Sequence, residues 1–223
     1  MVPADLAYLR AMIDCGCVRG RVLEVGSFNR QSLLDGNARA TCVAAGLDWT
    51  GSDIESGPGV DFVLDILDAA AIEAHVSAWD TVLLFNLLEH VYDPISALRH
   101  ALRLVRAPGC CVVAGPAVWE LHDFPADYWR PLPDFYREFA RREGLSAPEE
   151  TMRWIVGGKL VRMEALASGA QRLLPSKHTA GQIWGGRRSA WSRLVHRAAN
   201  TTGRDLFFPY SGLGVVIRKD ASR

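Results

Sequence analysis

Acidic residues in the first half of this chain fall at the ends of short apolar runs, where carboxylates can meet the donor groups of a small ligand. Arg21-Val-Leu-Glu-Val-Gly-Ser27 delivers Glu24, then the turn residues Gly26 and Ser27. Asp48-Trp-Thr-Gly-Ser-Asp-Ile54 ends on Asp53 and Ile54, and Val60-Asp-Phe-Val-Leu-Asp-Ile66 ends on Asp65 and Ile66. Thr81-Val-Leu-Leu-Phe-Asn-Leu-Leu88 carries Asn86 and Leu87 and runs into Glu89-His90. In open α/β sheets, ligands bind at the carboxyl ends of the strands, where the strand order reverses. Glycine allows a close backbone approach there. Asp53 lies about one βαβ half-unit beyond the glycine, where an acid grips ribose hydroxyls. The loop Gly26-Ser-Phe-Asn29 lacks the GxGxxG pattern. That argues against a nicotinamide dehydrogenase, whose pyrophosphate needs those glycines. Phe28 is left either to pack on the ligand or to plug the core.

A second cluster is His122-Asp-Phe-Pro-Ala-Asp-Tyr-Trp-Arg-Pro131. His122 and Asp127 are candidate proton acceptors, the catalytic pair of this reading. Tyr128, Trp129 and Arg130 can shape a substrate pocket, with Arg130 suited to a carboxylate or phosphate. The alternative is a packed lid in which Asp127 pairs with Arg130. His90 is either a substrate-positioning group or a hydrogen-bonded structural histidine.

The elements that must hold these residues alternate. Pro3–Met12 reads as a helix, residues 21–27 as a strand, and 31–46 as a region containing the first crossover helix. Two strands follow around Gly57-Pro58-Gly59, then a short helix from Asp68 and a strand at about 80–87. Asp93 is an N-cap with Pro94 in the first turn. Ile95, Leu98, Leu102 and Val105 then fall on one helical face, and Pro108-Gly109 ends the helix. Cys110-Cys-Val-Val-Ala114 is apolar throughout, as a buried parallel strand is. Pro131–Gly144 is a further helix, and 150–156 and 213–218 are late strands. Such alternation predicts an α/β fold with right-handed crossovers.

At this point the chain resembles the class I S-adenosylmethionine-dependent methyltransferases of the small-molecule group. Glu24-Val-Gly-Ser27, Gly51-Ser-Asp-Ile54, Asp61-Phe-Val-Leu-Asp65, Asn86-Leu-Leu-Glu-His90 and Arg103-Leu-Val-Arg-Ala-Pro-Gly109 carry the resemblance. It implies a Rossmann-like sheet sandwiched by helices, formed by residues 1–156 and 209–223. It also implies S-adenosylmethionine as cofactor. Glu24, Gly26 and Ser27 would then serve the methionine end, Asp53 and Ile54 the ribose side, Asp65 and Ile66 the adenine, and Asn86 and Leu87 the methionine portion. Similar His-x-x-Pro-x-Asp-Tyr-Trp-Arg segments occur in methyltransferases of this group. The expected activity is methyl transfer to a small molecule at oxygen, with nitrogen as the alternative. A cofactor-binding scaffold or regulator is the rival of another class. Residues 157–208 are a basic, partly helical insertion before the last strand, a lid or a dimer element.

Composition bounds these readings. The 223 residues carry a formal net charge of zero, so no global field draws the chain to nucleic acid or a membrane. Between Glu164 and Asp205 there is no acid, whereas Arg172, Lys177, Arg187, Arg188, Arg193, Arg197 and Arg204 are all basic. That asymmetry suits an anionic or carrier-bound acceptor, an acidic partner, or simply a paired face. Five cysteines without a paired framework suit a reducing cytoplasm. Cys15-Gly-Cys17 lacks redox CxxC spacing and reads as small apolar side chains. No metal-ligand spacing occurs, no secretory signal is visible, and no run of ~20 apolar residues could span a bilayer. A monomer and a homodimer are equally compatible with the sequence.

Overall fold

The structure, a computed structural model, describes residues 3–28, 37–119, 126–156, 159–162, 164–165, 171–172 and 211–221. Helix α1 (Pro3–Asp14) precedes β1 (Arg21–Val25), α2 (Ala38–Ala44), β2 (Asp48–Asp53), β3 (Phe62–Val63) and α3 (Ala69–Glu73). Then come β4 (Trp79–Phe85), α4 (Pro94–Leu104), β5 (Val105–Val118) and α5 (Pro133–Arg142). Short strands β6 (Arg153–Val156), β7 (Lys159–Arg162), β8 (Glu164–Ala165) and β9 (Gln171–Arg172) lead to β10 (Ser211–Lys219). The main sheet has the order β3-β2-β1-β4-β5-β10-β6-β7. The strands from β3 to β5 are parallel; β10 is antiparallel to both β5 and β6, and β7 is antiparallel to β6. Chain order reverses between β1 and β4, the place where α/β sheets open a crevice.

Strand β4 shows why the middle of the sheet holds. All of Trp79–Phe85 is buried, and alternate residues serve opposite faces. Val82 and Leu84 join the core under α3, α4 and α5 with Ile72, Leu98 and Phe139. Leu83 and Phe85 join the core under α1 and α2 with Leu9 and Cys42. At the start of β4, Asp80 Oδ2 accepts from the Arg21 backbone N–H at 2.7 Å and Oδ1 from Arg106 Nε at 2.5 Å. Those bonds hold the Asp80 carboxyl below its usual range, against the opposing effect of burial.

Helix α4 begins as its sequence dictates: Asp93 Oδ1 accepts from Ser96 N–H at 3.0 Å, with Pro94 in the first turn. Its buried stripe is Ala97, Leu98, Ala101, Leu102 and Leu104, while Ile95 is exposed. The alanines sit on the contact line, which moves that line off the face the larger residues suggest. The helix ends at Leu104, before Pro108-Gly109. Val105 already belongs to β5, and Lys219 Nζ donates to the Leu102 and Val105 carbonyls at 3.1 and 2.7 Å, satisfying helix-end acceptors.

Helix α1 packs across the chain's last strand. The Tyr8 ring lies where a side chain on Gly214 would stand, and Tyr8 OH donates to the Thr151 carbonyl at 3.0 Å. Within the expected insertion, the described residues are strands. β7 extends the main sheet, and β8 and β9 form a separate two-stranded ribbon. Residues 173–210, which hold most of the basic stretch, lie outside the described residues, as do 29–36 of the first crossover region.

Candidate functional site

The site is built on the carboxyl edge of β1, β2 and β4. Gly26 turns the chain after β1 with φ +85°, and a Cβ there would stand 3.2 Å from Leu87 Cδ1. Only glycine takes that conformation without strain while clearing Leu87. The Gly26 and Ser27 N–H groups both donate to the Ser52 carbonyl, at 2.8 and 3.0 Å, and Ser27 Oγ donates to the Gly59 carbonyl at 2.8 Å. The turn is thereby locked to the end of β2. Phe28 packs its ring against Gly57, where a Cβ would come within 2.0 Å of the ring. The aromatic ring thus packs against the 57–59 turn.

Asp53 ends β2. Its Oδ2 accepts from Phe28 N–H at 3.0 Å and its Oδ1 from Glu55 N–H at 3.2 Å. Asp53 therefore also holds the glycine loop in place. Ile54 beside it is exposed, an apolar face with no core to join. Asp65 is exposed and accepts from Leu67 N–H at 2.8 Å, while Ile66 next to it is buried.

Glu24 does not project into solvent. It is 7% exposed, and its Oε2 accepts from Trp49 Nε1 at 3.1 Å. Burial pushes its carboxyl up to about 7; the Trp49 bond works against that rise and the Asp53 charge adds to it. Trp49, from β2, is a partner that the strand pattern alone could not single out.

Asn86 follows β4 in the left-handed region, φ +50°, which Asn tolerates better than most residues. Its backbone N–H donates to the Ala114 carbonyl at 2.8 Å, and its Nδ2 donates to Asp5 Oδ2 at 2.7 Å. Asp5 belongs to α1 and is buried. Sequence reasoning missed it, because nothing local ties a helix-start acid to a residue so far along the chain.

Glu89 sits in the short 3-10 turn after β4 and is only 2% exposed. A Cβ on Gly115 of β5 would stand 3.3 Å from its Oε2. Burial raises its carboxyl to about 7, helped by the charges of Asp5 and Asp127 and opposed by a backbone N–H and by Arg130. His90 Nδ1 lies 2.5 Å from the Ala126 carbonyl. A carbonyl only accepts, so in the neutral ring Nδ1 carries the proton and Nε2 keeps the lone pair. Nε2 is 3.9 Å from Glu89 Oε1. The sequence placed Glu89 at this edge but gave it no role of its own. The signal for it lay in its place directly after the strand-four run.

The 126–130 segment meets this edge: Tyr128 N–H donates to the Glu89 carbonyl at 2.7 Å. Asp127, whose side chain is 1% exposed, pairs with Arg130 through both oxygens, Oδ2 receiving Nη2 at 2.6 Å. Tyr128 and Trp129 are exposed. Tyr128 stacks edge-on to Tyr92 with centroids 5.6 Å apart, and Trp129 Nε1 donates to the Tyr92 carbonyl at 3.1 Å. Tyr92 was not anticipated. His122 lies outside the described residues. Among the described residues no cluster of His, Cys, Asp and Glu could hold a metal ion, and no helix is long and apolar enough to cross a membrane.

No family profile matches the chain. A ubiquinone biosynthesis O-methyltransferase of Pectobacterium atrosepticum is 27% identical over 166 residues, a match covering 69% of this chain and 66% of that enzyme. Among solved structures, a SAM-dependent methyltransferase from Archaeoglobus fulgidus superposes with a TM-score of 0.54 at 16% identity, over 96% of this chain and 93% of the other. The [4+2]-cyclase SpnF superposes at 0.55, also at 16% identity, over 98% of this chain and 82% of the other. Strand order, glycine turn and strand-end acids together give this chain the fold of the class I S-adenosylmethionine-dependent methyltransferases, and its sequence is similar to one of them.

Proposed function

We propose that this protein transfers a methyl group from S-adenosylmethionine to an oxygen of a small-molecule acceptor. One observation carries the reading. The Gly26 turn at the strand-order reversal is tied through Phe28 N–H to Asp53 at the end of β2, and Asp65 follows β3, the next strand in the sheet. The residues fit the cofactor's chemistry. Asp53 and Asp65 can accept from ribose hydroxyls and an adenine amine, exposed Ile54 offers a flat ring an apolar face, and Glu24 places negative potential near a cationic ligand. When bound, the cofactor supplies an electrophilic methyl on a positively charged sulfur.

The chain's own residues then hold and align the acceptor, an effect worth ~7–11 kcal/mol in well-oriented reactions. Tyr92, Tyr128 and Trp129 provide an aromatic wall. Glu89, poised near neutrality beside His90, is a better-placed proton acceptor than Asp127, whose two oxygens serve Arg130. For the same reason Arg130 is less suited to an anionic acceptor than its sequence position suggests. An anionic preference would have to come from the basic insertion. The ubiquinone enzyme's O-methylation, at 27% identity, supports oxygen over nitrogen. A cyclase with the same fold keeps a second reading in view: a cofactor-binding protein that is not a methyltransferase.

Calorimetric titration with S-adenosylmethionine tests the site. Asp53→Ala loses both the ligand contact and the anchor on Phe28, and affinity falls by about 1.5–3 kcal/mol. Wild-type protein that fails to bind the cofactor overturns the reading. Binding without turnover on any hydroxylated acceptor favours the second reading.

A further inference from the structure

On the side of the sheet where β1 begins, opposite Gly26, Cys15-Gly16-Cys17 follows the end of α1. Gly16 adopts φ +75°, and this turn brings Cys15 Sγ to 3.3 Å from Cys17 Sγ. Consecutive Cα atoms are about 3.8 Å apart, so the two Cα atoms cannot be separated by more than about 7.6 Å, and any bend shortens that. Disulfides bridge Cα atoms ~4.4–6.8 Å apart. Cys15 is exposed and Cys17 is half-buried. Arg218 Nη2 stands 3.6 Å from Cys17 Sγ. Cys110 is buried and donates its S–H to the Cys17 carbonyl at 3.1 Å. Cys42 and Cys111 are buried as well.

We propose that Cys15 and Cys17 form a dithiol site for thiol–disulfide exchange with a low-molecular-weight disulfide. Cys15, the accessible thiol, loses its proton and attacks one sulfur of the small disulfide. A mixed disulfide forms and one small thiol leaves. Cys17 Sγ, giving up its proton, then attacks Cys15 Sγ, forms the Cys15–Cys17 bond and expels the second small thiol. Two protein thiols are oxidised, one disulfide is reduced to two thiols, and the two protons pass to those products. The sequence reading of this pair as small apolar side chains is incomplete, because spacing alone does not show the bend at Gly16. The site lies away from the cofactor edge, so it stands whether or not the protein is a methyltransferase.

The test uses the whole protein and oxidised glutathione, with denaturation and alkylation afterwards. The expected product is two hydrogens lighter and accepts two fewer alkyl groups. A dithiol reductant reverses the change. The tryptic peptide between Arg10 and Arg19 carries the bond internally. Cys15→Ser abolishes the internal bond, and Cys42→Ser leaves it intact. Alkylation of all five cysteines after oxidant exposure, a stable glutathione adduct on Cys15, or a disulfide mapped elsewhere would each overturn the proposal.

Discussion

Glu24 and Glu89 are buried carboxylates, each pushed up to about 7 by burial, and each makes a different prediction. Glu24 is held by Trp49. In the folded chain it keeps its proton up to about 7, against an ordinary value of 4.5. The folded state therefore binds this proton more tightly than the unfolded one. The stability it confers is fully present below about pH 4.5 and is lost as pH rises through about 7. Glu24→Gln removes the buried charge and can keep an acceptor for Trp49. In urea melts the variant is expected to match wild type at pH 4 and to exceed it at pH 8 by up to about 3 kcal/mol. Its affinity for the cationic cofactor falls. For Glu89 the expected signature is kinetic. A base that must be deprotonated gives a kcat rising with pH through about 7. Glu89→Gln should abolish that limb and lower kcat by about 10²-fold or more while cofactor affinity holds. An unchanged pH profile removes Glu89 from the proton path.

The elements carry the site through their ends. Helix α4 starts directly after Tyr92, so its N-cap also fixes the aromatic wall. Asp93→Ala removes the bond to Ser96 N–H and costs about 1 kcal/mol, read as a lower thermal midpoint. This cap was legible in the sequence, because Asp followed by Pro at a helix start is a local signal. The strand-end acids were legible for the same reason: an apolar run, an acid and a turn lie side by side in the chain. What could not be read were the cross-chain partners. Asp5 with Asn86, Trp49 with Glu24 and Tyr92 with Trp129 depend on which strands become neighbours. The end of α4 was misplaced because Val105 pairs with Trp79 of β4, a partner far along the chain. Asp127 shows a different limit. The sequence offered both a proton acceptor and a pair with Arg130, and only the three-dimensional placement displays the pair.

At the scale of the molecule, β10 occupies the middle of the sheet, between β5 and β6, although it comes near the end of the chain. Tyr8 of α1 rests on Gly214 of the same strand. The order of synthesis is therefore the reverse of the order of need. α1 emerges before the strand it covers, with β1 to β9 between them, and β6 and β7 cannot reach β5 until β10 lies between them. Until then the apolar side of α1, with Leu6, Leu9 and Met12, has an incomplete floor, and β5 has an open edge, a condition that invites association with other chains. A chain ending at residue 210 should fold its β1–β5 portion incompletely and aggregate. Supplying residues 211–219 as a separate peptide should restore solubility if the missing strand is the cause. Hydrogen exchange during refolding should show β10 and β6 gaining protection together, after β1 and β4. Protection of β6 ahead of β10 would contradict this order.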